Sequence, residues 1–377
     1  MHVFIPAEVL PDECRVAATP ETVRKWMARG ATVTVESGAG NRAGVTDDDY
    51  AGAGARLSAD ALAEWQSADL VLKVRRPATP AEGLRDEVAA FRRGAVLVCL
   101  MEPHREPSQL ELLRERGVTA FALERVPRIS RAQSMDVLSS QANLAGYRAV
   151  LAAAALYDRA IPMMMTAAGT VAPARFLVMG AGVAGLQAIA TARRLGGVVS
   201  ATDVRLAARE QVESLGASFV MVENEESRQA ETSGGYAREM SAEYQRLQAD
   251  LIRTTLGKTD IVICTALIPG KPAPLLVSEE MVGLLRPGSV IVDLAAEAGG
   301  NCACTVPGET RVHGGVTIVG ERNMASRVPA SASQLFARNM LAFGELLVDP
   351  ATKSLRPDHD DEILVACRVT QGKEVPA

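Results

Sequence analysis

"RFLVMGAGVAGLQAIATARRLGG", residues 175–197, decides the fold. A short apolar run leads into Gly180, Gly182 and Gly185, and an Ala-rich helical pattern follows. In a strand–glycine–helix turn of this spacing, the first glycine permits the tight turn. The second lets a backbone approach a pyrophosphate, and the third lets helix and strand pack closely. The helix start offers unpaired N–H groups and a partial positive charge to phosphate. The next strand-like run, "VVSAT", ends at Asp203, where a carboxylate can accept from ribose hydroxyls. Glycines alone are a weak signal in a chain that has 31 of them. The strand, helix and acid around these three sharpen the reading to a dinucleotide site. An acid at this place repels a 2′-phosphate, which predicts NAD(H) rather than NADP(H), with Arg205 close by as the opposing charge.

Working outward, "SFVMV", "IVICTA" and "SVIVDL" continue the series, and "VFIP", "TVTVES", "LVLKV", "VLVCL" and "TAFALE" form an earlier one. Apolar runs without strict alternation, each followed by an amphipathic segment, predict parallel sheets covered on both faces. Right-handed crossovers then give the fold class: α/β, two Rossmann-like doubly wound parallel-sheet domains with a cleft between them. "TPETVRKWMARG" reads as a helix with Thr19 as N-cap, Pro20 in the first turn and Gly30 as stop. A long helix from about Ser134 to Arg159 is expected to bridge the domains, and "MMMTAAGTVAPA" after it reads as a loop. The helix in "PASASQLFARNMLAFGELL" is expected to return to the first domain. The predicted division is residues 1–137 plus 321–377, and 138–320 as the NAD(H)-binding domain.

Composition agrees. A chain of 377 residues predicts two or three domains at roughly 150 residues each. Hydrophobic residues make up 48% and aromatics only 4%, a small-residue bias that suits close-packed βα units. A net charge of −5, with Arg scattered among Asp and Glu, argues against nucleic acid. Of six cysteines only Cys302 and Cys304 are neighbours, at a spacing that matches neither the usual zinc nor redox patterns. Reduced thiols and no metal are therefore expected, and four histidines cannot make an imidazole-rich site. No run approaches the roughly 20 apolar residues of a membrane helix, which predicts a soluble cytoplasmic protein.

Two stretches carry more polarity or length than the fold needs. "NEESRQAETSGGYAREMS" is long for a βα connection, and Gly234, Gly235 and Tyr236 suggest a hinged lid. "RISRAQSMDVLSSQANLAGYRAV", residues 128–150, packs Arg128, Arg131, Gln133, Asp136, Ser139, Ser140 and Gln141 into a helix entry. Capping, with Ser134 as N-cap and Asp136 in the first turn, explains one or two of these seven.

These residues, with "MMMTAAGTVAPARFLVMGAGVAGLQAIATARRLG", "ATDVR", "GGYAREMS", "TALIPGKPAP" and "PGSVIVDLAAEAGGN", resemble a known family through nearly the whole chain. It is the NAD(H)-binding component of proton-translocating NAD(P) transhydrogenase, in a superfamily shared with alanine dehydrogenase. The resemblance implies direct hydride transfer from NADH here to NADP⁺ on a partner subunit, coupled to proton movement by a membrane component. It implies a homodimer that is active only with a membrane-anchoring subunit and an NADP(H)-binding beta subunit. It also implies a cytoplasmic location peripheral to the inner membrane. On the nicotinamide side it places Arg128, Gln133, Asp136 and Ser139. Val183 and Ala184 fall at the pyrophosphate, and Asp203, Val204 and Arg205 around the adenosine ribose. Gly235 and Tyr236 fall in the mobile loop, and Ala266 and Leu267 on the adenine side. The competing expectation is an alanine-dehydrogenase-like enzyme, with Lys73 as the cation for a substrate carboxylate. His104 in "MEPHREP" would be its acid, displaced from the place that family expects.

Overall fold

A strand buried on both faces feeds alternate side chains into two different cores, and both series of strands do this. In the computed structural model, which describes residues 1–224, 241–268 and 270–371, the chain divides into two units. One comprises Met1–Gln141 with Ala325–Ala377, and the other Ala142–Met324.

In the first unit, β1 (His2–Ile5), β2 (Thr32–Glu36), β3 (Arg56–Ser58), β4 (Leu70–Arg75), β5 (Val96–Leu100) and β6 (Thr119–Ala122) pair in parallel, in the order β6-β5-β4-β1-β2-β3. Val3, Ile5, Leu70, Leu72, Val96 and Val98 enter one core with Phe336, Met340 and Phe343 of helix Pro329–Gly344. Phe4, Val71, Leu97 and Cys99 enter the other with Trp65, Phe91 and Leu113. The first helix, Pro20–Ala28, has Pro at its start, and Gly30 follows its C-cap at φ 85°, a conformation that favours glycine. Thr19 is the N-cap as expected, with extended backbone, but its side chain makes no cap hydrogen bond. Its backbone N–H donates to Thr22 Oγ1 at 2.9 Å, while its own hydroxyl finds no partner.

In the second unit, β7 (Met164–Thr166) and β8 (Gly169–Val171) form a separate antiparallel hairpin. Here the expected loop is overturned. The segment pairs by backbone while its side chains stay exposed, Met165 at 79%. The main sheet contains β9 (Arg175–Met179), β10 (Val198–Thr202), β11 (Ser218–Phe219), β12 (Ile261–Cys264), β13 (Val290–Asp293), β14 (Thr310–His313) and β15 (Val316–Val319). Its order is β11-β10-β9-β12-β13-β15-β14, and all pairs are parallel except β14 with β15. The order reverses at β9, whose neighbours are β10 and β12. A doubly wound sheet opens a crevice at the carboxyl ends of its strands at such a point.

The last strand, β16 (Arg368–Thr370), adds antiparallel to β6 in the first unit. Helix Val137–Leu156 contains the boundary between the units, and its Ala149, Val150 and Ala153 join the core of the second. Among the described residues no helix is long and apolar enough to cross a membrane.

Candidate functional site

The register brings three loops to the same end of the second sheet. Met179 is level with Thr202 on one side and Cys264 on the other, so Gly180, Asp203 and Thr265 each follow directly after the ladder. Each glycine of the loop then has a separate reason. Gly180 sits at φ +105°, and a Cβ there would stand 2.6 Å from Thr265 Oγ1. A Cβ on Gly185 would stand 1.8 Å from the Gly180 carbonyl oxygen, so helix and strand can pack only if it is absent. Gly182 differs. Its φ is −78°, which any residue adopts, it is exposed, and a Cβ would meet nothing within 4 Å. The protein's own packing therefore does not call for glycine at Gly182.

Gly182 is also the N-cap of helix Val183–Arg194, where no side chain caps the first N–H groups. Such an end is a ready anion site. Val183 is exposed and Ala184 half-buried. The Ala184 carbonyl lies against Gly146, where a Cβ would come within 2.0 Å. Gly146 is therefore a packing glycine of this site, with no signal in the sequence beyond a Gly inside a helical pattern.

Asp203 is half-buried and fully engaged. Oδ2 accepts from the Ala181 N–H at 2.7 Å, and Oδ1 from the Arg205 N–H at 2.8 Å. The Arg205 guanidinium reaches the same carboxylate at 3.0 and 3.2 Å and the Ala181 carbonyl at 3.4 Å. Each carboxylate oxygen thus accepts two hydrogen bonds, one from a backbone N–H and one from the guanidinium, so a ribose hydroxyl would have to take the place of an Arg205 contact. The arginine is spent on the acid and the loop, so the cation that could greet a 2′-phosphate is drawn away from that role. Val204 between them is 64% exposed.

On the third loop, Ala266 is half-buried and Leu267 exposed. Asn301, which no motif singles out, holds this loop. Its Oδ1 accepts from the Ala266 N–H at 3.0 Å, and its Nδ2 donates to the carbonyls of Ala266 and Pro274 at 2.9 and 2.8 Å. Buried Asp293 fixes Asn301 in turn by accepting from its N–H at 2.7 Å. Gly234, Gly235 and Tyr236 lie outside the described residues.

In the first unit, most of the polarity at residues 128–141 is engaged by side chains of the same unit. Helix Val137–Leu156 begins three residues later than expected, and Asp136, not Ser134, stands before it. Asp136 Oδ1 accepts from the Ser139 N–H at 2.9 Å and Oδ2 from the Ser139 hydroxyl at 2.6 Å. Arg131 forks onto Asp361 at 2.8 and 3.0 Å, and Ser140 bonds Asn339 at 2.8 Å. Buried Gln141 accepts from Arg15 at 2.8 Å. Arg128 and Gln133 remain. Both are exposed, and their side chains make no hydrogen bond or ion pair among the described residues.

Fold and loops define the class: a protein of two doubly wound α/β units, one with a dinucleotide-type glycine loop at its switch point. Residues 4–145 match the family "Alanine dehydrogenase/PNT, N-terminal domain", and residues 149–376 match "Alanine dehydrogenase/PNT, C-terminal domain". The chain belongs to the alanine dehydrogenase/PNT family. NAD(P) transhydrogenase subunit alpha (first part) of Rhodospirillum rubrum is 55% identical over 371 residues, covering 98% of this chain and 96% of that protein. The crystal structure of transhydrogenase from Sinorhizobium meliloti superposes with a TM-score of 0.88 at 50% identity, covering 99% of both chains. Alanine dehydrogenase of Halomonas elongata is 30% identical over 380 residues, covering 99% of this chain and 94% of that protein.

Proposed function

We propose that this chain is the NAD(H)-binding component of a proton-translocating transhydrogenase. It passes hydride directly from NADH to NADP⁺ held by a partner subunit. The observation that carries coenzyme binding is the glycine loop, whose middle glycine has no packing reason and faces an uncapped helix start. A backbone approaching a pyrophosphate supplies that reason. The engagement of Arg205 by Asp203 supports NAD(H) over NADP(H).

Hydride transfer between two nicotinamides needs no acid, base or nucleophile from the protein. It needs the two carbons held roughly 3–3.5 Å apart in a water-excluded site. Within this proposal the chain's residues bind and orient. Gly180, Gly182, Val183, Ala184 and Gly185 take the pyrophosphate, Asp203, Val204 and Arg205 the adenosine ribose, and Ala266 and Leu267 the adenine. Arg128, Gln133, Asp136 and Ser139 serve the nicotinamide, with Gly235 and Tyr236 in the closing loop. The unengaged side chains of Arg128 and Gln133 support this assignment. The Asp136–Ser139 pair would cap its helix and orient the carboxamide together.

Further parts of the proposal are a homodimer, a membrane-anchoring subunit, an NADP(H)-binding beta subunit and a cytoplasmic place peripheral to the inner membrane. The exposed methionine hairpin supports self-association, since Met163, Met164, Met165 and Val171 together leave an apolar surface in water.

The alanine-dehydrogenase reading is less well served. Lys73 is fully buried, with Nζ 3.3 Å from Glu8 and 3.0 Å from Glu87, so its charge is already answered. His104 is exposed. The test combines the purified chain with an NADP(H)-binding transhydrogenase subunit and follows reduction of an NAD analogue by NADPH. Turnover is expected only with the partner. Alanine-dependent NAD⁺ reduction by the chain alone would overturn the proposal.

A further inference from the structure

On the second unit, Cys304, whose spacing from Cys302 matches no metal pattern, finds other ligands in space. Val277 and Cys302 form an isolated parallel bridge, and the Ala303 N–H donates to the Val277 carbonyl at 2.9 Å. Glu279 and Cys304 each stand two residues beyond that bridge, Glu279 opening the helix Glu279–Val282 and Cys304 in the turn after Cys302. His313, the last residue of β14, comes to them from the sheet edge. One ligand atom from each of Glu279, Cys304 and His313 lies within 4.8 Å of the other two.

We infer that Glu279, Cys304 and His313 form a three-ligand site for a divalent cation of the zinc class. Sulfur, imidazole nitrogen and carboxylate oxygen are the donors zinc takes, and a three-residue set leaves a fourth position for water. The spacing fits. Ligand bonds of about 2.0–2.2 Å in a tetrahedron put nitrogen and oxygen about 3.4 Å apart. His313 Nε2 and Glu279 Oε1 are 3.3 Å apart. The buried Cys302 thiol is a neighbour of the Cys304 sulfur, where an outer partner of a coordinating thiolate would stand. An ordinary ion pair is the competing account of His313 and Glu279. Their side chains are 41% and 70% exposed, where such a pair contributes little and has no need of a thiol beside it.

Without metal, burial and the neighbouring Glu279 carboxylate hold the Cys304 thiol above its ordinary pKa, so it is protonated. On binding, the thiol proton passes to solvent and the thiolate sulfur binds the metal, releasing one proton per ion. The ion would tie together the turn at Glu279, the segment after Asn301 and the hairpin of β14 with β15. Asn301 clamps Ala266, so the tie ends next to the loop assigned above to adenine.

The test adds cobalt(II) to the chelator-treated full chain and reads tetrahedral visible bands with a thiolate charge-transfer band. One equivalent is expected, displaced by zinc. Cys304→Ser should abolish the charge-transfer band. His313→Gln should weaken cobalt binding by more than the roughly 10- to 100-fold that an outer partner is worth, with circular dichroism unchanged. On the unmutated chain, zinc should slow alkylation of Cys304 by iodoacetamide more than tenfold, which decides the matter if Cys304→Ser fails to fold. Absence of the bands, their survival in both variants, or equal alkylation with and without zinc would overturn the inference.

Discussion

Replacing Gly182 and Gly185 separately with alanine should split coenzyme binding from folding. At Gly182 the backbone is extended, with φ −78° and ψ −168°, and a Cβ meets nothing within 4 Å. Alanine there gains about 0.4–1 kcal/mol by restricting the unfolded chain. It loses a similar amount as a poorer N-cap than glycine. Stability should therefore stay within about 1 kcal/mol of the parent. The added methyl would stand where a pyrophosphate must come close. Losing one charge-assisted hydrogen bond costs about 1.5–3 kcal/mol, which is a roughly 10- to 150-fold loss of NADH affinity. At Gly185 the order reverses. A methyl 1.8 Å from the Gly180 oxygen and 3.2 Å from Thr265 Oγ1 forces helix and strand apart. The cost should reach the upper end of overpacking, about 3 kcal/mol or more. The assays are NADH fluorescence titration and urea unfolding on both variants. Gly182→Ala binding NADH as tightly as the parent would refute the reason given for that glycine.

Other residues give independent checks. Asn301→Ala leaves the Ala266 N–H and two carbonyls without their partner, so unfolding should show a loss of roughly 1–3 kcal/mol, with weaker NADH binding in the same titration. Glu8 is pushed up to about 7 by burial, against the pull of Lys73. The folded chain thus holds a proton that the unfolded chain releases between about pH 4.5 and 7, and this contribution to stability falls as pH rises through that window. Thermal unfolding across pH 5–7 should show a shallower decline in Glu8→Gln, and an unchanged slope would exclude Glu8 as the source. Met165→Glu should convert the proposed dimer to monomer in sedimentation, because a carboxylate would replace the most exposed apolar side chain of the hairpin. Gln133→Asn or Arg128→Ala should lower hydride transfer with the partner about tenfold or more while NADH affinity holds, as expected of positioning residues.

The strands most legible in the sequence are those whose side chains all find a core. "IVIC" and "VIVD" read as strands because each residue is buried, and the parallel order follows from the segments between them. The edge strands β3 and β14 were not legible, for the opposite reason. β3 and β14 are polar and short, and only backbone pairing with a neighbour makes them strands. The hairpin of β7 and β8 misled differently. Its apolar side chains are exposed, so no burial pattern marks it. At the helix entry, the polar cluster was visible but its use was not. Gln141 and Ser140 bond Arg15 and Asn339, partners 126 and 199 residues away. Asn301 was hidden likewise, since the carbonyls it holds lie 35 and 27 residues before it. Local patterns carry strand, turn and glycine loop, whereas a side chain that braces a distant loop leaves no trace in its own neighbourhood.

The proposal that this chain supplies alignment and leaves hydride chemistry to two coenzymes is tested most directly by isotope. NADH deuterated at the transferring position of C4 is offered to the chain together with an NADP(H)-binding subunit and NADP⁺. The deuterium should arrive on C4 of NADPH without exchange with water, and the chain alone should turn over nothing. Hydrogen from solvent at that carbon, or transfer that proceeds without the second subunit, would contradict the account.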